Sequence, residues 1–207
     1  MGETRKPIPT LVKDQGLVRL RRGQIIRAAV DLFVEKGFHK TTTREIARAT
    51  GIGIGTLYEY IQSKEDVLYL VCDFIHTDVE EKLTALLAEQ RTGRDTLVHA
   101  IRSFFKIMDE MQDYVLLIYQ ESKSLPDEML HYVLAKEEVI MRHFEKILER
   151  GAKDGSLNIE DGSRKLMAHN ITVLGQMWAF RRWFLRRYYT LEQYTERQVS
   201  LLLKEMS

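Results

Sequence analysis

The sequence predicts an all-α protein. Along most of the 207 residues, apolar side chains recur at the three- and four-residue spacing of amphipathic helices, and no segment shows the strict alternation of a half-buried strand. Only 3 prolines and 12 glycines interrupt the chain, and 44% of the residues are hydrophobic, which is enough for a packed core. We therefore expect about nine helices, three short ones at the front and a larger helical body behind them.

The charge distribution separates the front of the chain from the rest. Residues 1–64 carry 12 Lys and Arg against 6 Asp and Glu, whereas residues 65–207 carry 19 against 24. A basic segment on an acidic body favours contact with a polyanion such as nucleic acid, and ordinary surface charge is the alternative. The single cysteine, Cys72, excludes an internal disulfide, and no apolar stretch is long enough to span a membrane. We expect a soluble cytoplasmic protein.

The first helix follows a loose N-terminal segment. Residues 1–18 contain Pro7, Pro9 and scattered charges, and they are expected to form a flexible basic arm. From about Leu20 the apolar residues fall at helical spacing, and Gly37 supplies the C-terminal stop of this first helix.

A helix-turn-helix is predicted next. Thr42 and Glu45 form the Thr-x-x-Glu capping box of a short second helix that ends at Gly51, and a third helix is expected over residues 54–61. In a helix-turn-helix the second of two such helices lies in the major groove of DNA. Residues 19–64 are therefore predicted to form a DNA-binding domain.

The remaining residues, 65–207, are predicted to form the helical body. Ser63 caps the fourth helix, Pro126 marks the start of a later one, and Thr190 with Gln193 forms another capping box. Because no Pro-, Gly- or Ser-rich linker separates the two parts, we place their boundary within the fourth helix. Further helices are predicted near residues 94–111, 114–123, 126–154, 162–187 and 191–206.

Motifs for catalysis or metal binding are missing from the sequence. The third glycine of a G-x-G-x-x-G loop would fall at Thr56, and there is no P-loop, His-Glu-x-x-His or Gly-x-Ser-x-Gly motif. His76 and Glu80, four residues apart on one helix, favour a surface pair over a metal site. We expect no enzyme activity, no cofactor and no metal ion.

One run of residues carries a specific family signature. It reads Ala28-Ala29-x-x-Leu32-Phe33-x-x-x-Gly37-Phe38-x-x-Thr41-Thr42 and then Gly55-Thr56-Leu57-Tyr58-x-Tyr60-Ile61-x-Ser63-Lys64-Glu65. In order and spacing, this run closely resembles the TetR family of bacterial transcriptional regulators. The resemblance covers about residues 20–70, and it implies DNA contacts from Thr43, Gly55, Thr56, Tyr58, Tyr60 and Lys64.

The second helix of the motif offers uncharged hydrogen-bond donors that suit phosphate oxygens. Gly53 stands where the family usually has a Ser-like cap, and Ile54 stands where many members have a basic residue, so we expect apolar readout there, for example of a thymine methyl group. Alternatively, Tyr58 packs the small domain and Arg44 is a solvated charge. The full predicted set is Thr42, Thr43, Arg44, Gly53, Ile54, Gly55, Thr56, Tyr58, Tyr60 and Lys64.

The resemblance also implies a ligand pocket in the body and a dimer formed by the last two helices of each subunit. The body resembles TetR-type regulators that sense fatty acids or their coenzyme A thioesters. Arginine side chains near the end of the eighth helix would then pair with phosphates, or alternatively with acidic residues across the dimer. The predicted ligand-binding residues, for which plain core packing is the alternative, are Phe104, Phe105, Met108, Leu117, Met129, Val133, Ile140, Phe144, Leu174, Met177, Trp178, Arg182 and Arg186.

Together these features predict a ligand-responsive, dimeric transcriptional regulator, most simply a repressor. A single short recognition helix reads few base pairs, so we expect a homodimer on a palindromic DNA operator, released by a hydrophobic or amphipathic small molecule such as a fatty acyl-CoA. The alternative is a helical binding protein for another anionic partner, with no specific DNA site.

Overall fold

The computed structural model describes residues 8–88 and 90–206, and these residues form helices and connecting loops without a strand. The all-α prediction is confirmed. No helix in this part of the chain is both long and apolar enough to cross a bilayer. Residues 8–88 and 90–206 contain ten α-helices, which are α1 (Gln15–Lys36), α2 (Thr43–Thr50), α3 (Ile54–Tyr58), α4 (Lys64–Leu87), α5 (Gly93–Glu110), α6 (Gln112–Glu121), α7 (Asp127–Lys153), α8 (Arg164–Phe180), α9 (Arg182–Leu185) and α10 (Leu191–Lys204).

The start of α1 differs from the sequence prediction, which assigned residues 1–18 to a flexible arm. The helix begins at Gln15 because the Asp14 carboxylate accepts hydrogen bonds from the backbone N–H groups of Gly16 and Leu17. Residues 15–18 are therefore helical. The first seven residues of the predicted arm lie outside the described residues.

Whereas α1 begins earlier than predicted, two later helices are shorter than predicted. The third helix, expected over residues 54–61, ends at Tyr58, because the next backbone N–H groups make tight turn bonds, from Glu59 to the Thr56 carbonyl and from Tyr60 to the Leu57 carbonyl. The helix expected over residues 162–187 is divided at Arg181 into α8 and α9.

Residues 8–75 and 116–135 form the first of two compact units, so the division falls within α4. In this unit, α1, α2 and α3 share an apolar core that includes the fully buried Ile25, Ile46, Leu57 and Ile61. This core fixes the two helices of the predicted helix-turn-helix against α1.

Residues 76–115 and 136–206 form the second unit. Its core contains the predicted body aromatics, and α5 and α8 approach each other closely at Gly175. A Cβ atom on Gly175 would lie 2.5 Å from Cε1 of Phe104 and 3.0 Å from Cδ1 of Phe105, so only glycine allows this packing.

Candidate nucleic-acid interface

The N-terminus of α2 is fixed by the predicted capping box. The Thr42 hydroxyl accepts a hydrogen bond from the Glu45 N–H, and the Glu45 carboxylate accepts one from the Thr42 N–H at 2.9 Å. The same carboxylate pairs with the Lys36 ammonium at 2.8 Å. These hydrogen bonds, the one from Lys36 first, lower the pKa of Glu45 from 4.5 to about 2.

We expect Glu45→Gln to flatten the pH dependence of stability in acid. The folded-state pKa of Glu45 lies below its ordinary value, so its charge stabilises the fold above about pH 4.5, and this contribution is lost as the pH falls toward 2. Glutamine keeps the capping geometry and removes the charge. Urea unfolding midpoints between pH 2 and 7 measure the effect, with Glu35→Gln on an exposed carboxyl of α1 as the control. Parallel curves for the wild-type and Glu45→Gln proteins would contradict this account.

A tight turn presents α3 to solvent. Gly51 adopts the left-handed conformation, at φ 73° and ψ 25°, and its N–H reaches the Ala47 and Arg48 carbonyls, which closes α2. Gly53, Ile54 and Gly55 then follow as exposed residues, and a Cβ atom on Gly55 would meet no atom of the described residues within 4 Å. The start of α3 is therefore a smooth, open surface.

Hydroxyl groups connect the exposed parts of α2 and α3. The Thr43 and Tyr58 hydroxyls share a hydrogen bond of 3.0 Å on the surface. Thr42, at the N-cap of α2, and Arg44 in its first turn are exposed beside them, and Thr56 is half-buried on α3. Eight of the ten predicted DNA-contacting residues thus lie at the surface of the helix-turn-helix; they are Thr42, Thr43, Arg44, Gly53, Ile54, Gly55, Thr56 and Tyr58.

The other two predicted residues have structural contacts. Tyr60 is only 4% exposed and belongs to the core of the first unit. The Lys64 ammonium donates to the backbone carbonyls of Phe38 at 3.0 Å and His39 at 3.2 Å, and it lies 4.5 Å from the centre of the Phe38 ring. Lys64 therefore links the loop between α1 and α2 to the start of α4 through these hydrogen bonds.

The chain before α1 holds the C-terminal end of α3, which the sequence did not reveal. The Thr10 hydroxyl and the Leu11 N–H both donate to the Glu59 carbonyl, at 2.8 and 3.3 Å. Arg22 joins the two segments, because its guanidinium donates to the Tyr60 carbonyl at 3.0 Å and to the Ile8 carbonyl at 2.8 Å. Hydrogen bonds from side chains to distant backbone leave no periodic signal in a sequence.

The predicted ligand-binding residues are divided between the two units. Leu117, Met129 and Val133 belong to the first unit. In the second unit, Met108 and Ile140 are buried, and Leu174 and Met177 are half-buried. Two surface grooves of about 660 and 370 Å³ are lined by other residues.

The aromatic members of the predicted pocket form one cluster in the second unit. Phe104 has its ring centre 5.6 Å from that of Phe144, and Phe105 and Trp178 both contact Tyr194, with ring centres 5.7 and 5.2 Å apart. The Tyr194 hydroxyl donates to the Leu174 carbonyl, and burial raises the pKa of Tyr194 to about 12. The cluster is an apolar interior with few polar groups.

The two candidate arginines pair with aspartates of the same chain. Arg182 contacts Asp113, and Arg186 contacts Asp109, each at 2.7 Å. The same Asp109 oxygen accepts a hydrogen bond from Nε1 of the buried Trp178 at 2.6 Å. These contacts join α9 to α5 and α6, whereas the sequence predicts phosphates or acidic residues of the second subunit as the partners of these arginines.

A polar group in the interior of the second unit was also missed. The prediction of a surface pair between His76 and Glu80 is wrong: His76 is 2% exposed and its Nε2 lies 3.1 Å from the Glu137 carboxylate, whereas Glu80 pairs with Lys136. Gln176 donates to the other Glu137 oxygen at 3.4 Å. The position of His76 on the apolar stripe of α4 was the available signal for its burial.

The fold and the exposed α2–α3 surface define a helix-turn-helix DNA-binding protein with a helical body. The family model for bacterial regulatory proteins of the tetR family matches residues 25–69, and the tetracyclin repressor-like C-terminal domain matches residues 90–205. The chain therefore belongs to the TetR family. It is a DNA-binding transcriptional regulator and not an enzyme.

Relatives are similar along nearly the whole chain. The HTH-type transcriptional regulator HbdR of Aromatoleum sp. (strain CIB) is 27% identical over 197 residues, which cover 95% of this chain and 85% of HbdR. A tetR-family regulatory protein of Rhodococcus RHA1 has a TM-score of 0.78 at 26% identity, covering 89% of this chain and 95% of that one. AibR, solved with isovaleryl coenzyme A and operator DNA, shares the fold, with a TM-score of 0.74 at 21% identity over 88% of this chain and 98% of its own.

Proposed function

We propose that this protein is a ligand-responsive, dimeric repressor that binds a palindromic operator through α2 and α3. The observation that carries the proposal is the exposed surface formed by Thr43, Tyr58 and the open start of α3, since it offers hydroxyl donors and accessible backbone on a motif that enters the major groove. In this proposal residues 19–64 bind DNA and residues 65–207 bind the effector and the second subunit.

Dimerisation is proposed to use α8 and α10. Leu166 on α8 and Leu201 on α10 are 62% and 57% exposed, so each of these helices presents a large aliphatic side chain that a second subunit could cover. TetR-family regulators dimerise, and two copies related by a two-fold axis present two recognition helices to the two halves of a palindrome.

The effector is proposed to be a hydrophobic or amphipathic molecule, with acyl-CoA thioesters as the first class to test. The aromatic cluster of the second unit favours an apolar ligand body. The structural relative AibR binds isovaleryl coenzyme A, which supports the thioester class. Because Arg182 and Arg186 already contact aspartates, coenzyme A phosphates would have to compete with Asp113 and Asp109 for these two side chains.

Fluorescence anisotropy with DNA from upstream of the protein's own gene tests the proposal. We expect a specific complex that Tyr58→Phe weakens by about 1–3 kcal/mol, because the variant lacks only the hydroxyl that can donate to phosphate. Substitutions at Ile54, Gly55 or Thr56 should instead change the preferred sequence. Addition of dodecanoyl-CoA at micromolar concentration should release the DNA.

The same measurement separates two roles for Lys64. We propose that it acts by holding the α1–α2 connection, so Lys64→Ala should weaken DNA binding without changing the dependence on salt. A direct phosphate contact would instead lower the slope of log K against log salt by about 0.9. Only weak, sequence-independent binding by the wild-type protein would contradict the operator proposal and favour another anionic partner.

A further inference from the structure

We propose that His76, Glu137 and Gln176 form a subsite that binds a hydroxyl group of an otherwise apolar ligand. The three side chains come from α4, α7 and α8 and meet within the second unit. The inference rests on the proposed function in one respect, namely that this body binds a small-molecule effector, and it adds the polar chemistry by which that effector is recognised.

Hydrogen bonding in the cluster fixes the role of each imidazole nitrogen. Nε2 of His76 lies 3.1 Å from a Glu137 oxygen, and because a carboxylate only accepts, Nε2 carries the proton. An imidazole that carries its one proton on Nε2 presents Nδ1 as an acceptor. This Nδ1 atom is buried and has no hydrogen-bond partner among the residues that the structure describes. Buried polar atoms nearly always have one, so the site favours a group that donates a hydrogen bond to Nδ1.

Charge and donor count select a hydroxyl among the possible donors. A carboxylate has no proton to give to Nδ1 and would meet the like charge of Glu137. An ammonium would have to give up its hydration to reach a buried, uncharged acceptor, which costs more than the burial of a neutral hydroxyl. A hydroxyl can donate once to Nδ1 without bringing a charge into the interior, while Gln176 donates to the second Glu137 oxygen.

The apolar part of the ligand is suggested by the same face of α7. Ile140 and Phe144 follow Glu137 by three and seven residues and are both buried. With a rise of 1.5 Å per residue, Phe144 lies about 10 Å along the helix from Glu137. Phe144 packs against Phe104 there, with ring centres 5.6 Å apart. A ligand with a hydroxyl at one end and an aliphatic or aromatic body matches this order of polar and apolar residues.

The test compares 1-octanol with methyl octyl ether by calorimetric titration of the full chain without DNA. The two probes share a chain and an oxygen atom, but only the alcohol can donate a hydrogen bond. We expect the alcohol to bind about 10-fold more tightly or better, as is typical for one buried hydrogen bond. His76→Phe should abolish this difference while binding of the ether is retained.

Two further variants sharpen the comparison. His143→Phe is the matched control, because both nitrogens of His143 have partners, the Thr84 hydroxyl at 3.0 Å and the Val139 carbonyl at 2.8 Å, and the preference for the alcohol should persist. Glu137→Gln removes the like charge, so octanoate should bind this variant about 10-fold more tightly than it binds the wild type. Because Glu137→Gln leaves His76 in place, this variant still tests the subsite if the His76→Phe protein does not fold.

Three results would overturn the subsite. The first is equal affinity of the wild type for the alcohol and the ether, or no binding of either, which is the result expected if only water binds at Nδ1. The second is a preference for the alcohol that persists in His76→Phe. The third is an affinity for octanoate that does not increase in Glu137→Gln. Anisotropy measurements with operator DNA on the same preparations decide the proposed function separately. A protein that distinguishes the alcohol but ignores the DNA would refute the repressor and retain the subsite.

Discussion

Replacing Gly93 by alanine is expected to lower the free energy of unfolding by about 3 kcal/mol, at the upper end of what overpacking costs. A Cβ atom on Gly93 would lie 2.1 Å from the backbone nitrogen of Gly151 and 2.2 Å from its Cα. Both obstacles are backbone atoms within α7, which cannot rotate away as a side chain could. The Gly93 N–H also donates at 2.7 Å to the carboxylate of Asp154, which directly follows α7. This hydrogen bond adds a second contact between the first turn of α5 and the end of α7.

Urea denaturation followed by tryptophan fluorescence measures this effect. Gly162→Ala is the matched control, because a Cβ atom on Gly162 would meet nothing within 4 Å in the described part of the chain, and its effect should stay within about 0.5 kcal/mol of the wild type. A Gly93→Ala protein as stable as the Gly162→Ala protein would show that α5 and α7 can separate at little cost.

Asp109→Ala is expected to cost about 3 kcal/mol of stability. One Asp109 oxygen accepts hydrogen bonds from Nε1 of Trp178 and from the Arg186 guanidinium. Removing the carboxylate leaves the N–H of a tryptophan that is 2% exposed without its acceptor, and hydrogen bonds to charged groups are stronger than neutral ones. The attachment of α9 to α5 should loosen as a result.

The neighbouring pair provides a control for the Asp109 prediction. Arg182 and Asp113 form an ion pair of the same length, but both side chains are more than a third exposed, so Asp113→Ala should cost less than about 1 kcal/mol. Unfolding free energies and the emission maximum of tryptophan fluorescence report on both variants. Equal losses for Asp109→Ala and Asp113→Ala would assign the effect to charge alone and not to the indole hydrogen bond.

Local signals in the sequence predicted local structure well. The capping boxes at Thr42 and Thr190 lie where they were predicted, because each involves residues three positions apart. The glycine stop at Gly51 and the helix-turn-helix follow from similarly short-range patterns. For the same reason, the exposed positions of α2 and α3 could be predicted from spacing and family resemblance.

Contacts between distant segments could not be predicted in this way. Lys64 is a basic residue close to the helix-turn-helix, and this predicts a contact with DNA. Its ammonium instead donates to backbone carbonyls about 25 residues earlier in the chain. The hydrogen-bond partner of His76 lies 61 residues later in the sequence, and that of Arg182 lies 69 residues earlier. Helical periodicity indicates which face of a helix is buried, but it does not tell which polar groups meet there.

The hydrogen bonds between the chain before α1 and the backbone just after α3 matter for attempts to change the operator sequence by replacing α3 with the recognition helix of another regulator. With five residues, α3 is too short to be stable by itself. The two backbone carbonyls that follow it, of Glu59 and Tyr60, accept hydrogen bonds from Thr10, Leu11 and Arg22. A grafted α3 would therefore keep its orientation only if residues 8–12 and Arg22 were transferred with it. The transferable unit of DNA recognition in this protein is discontinuous, and part of it touches no base.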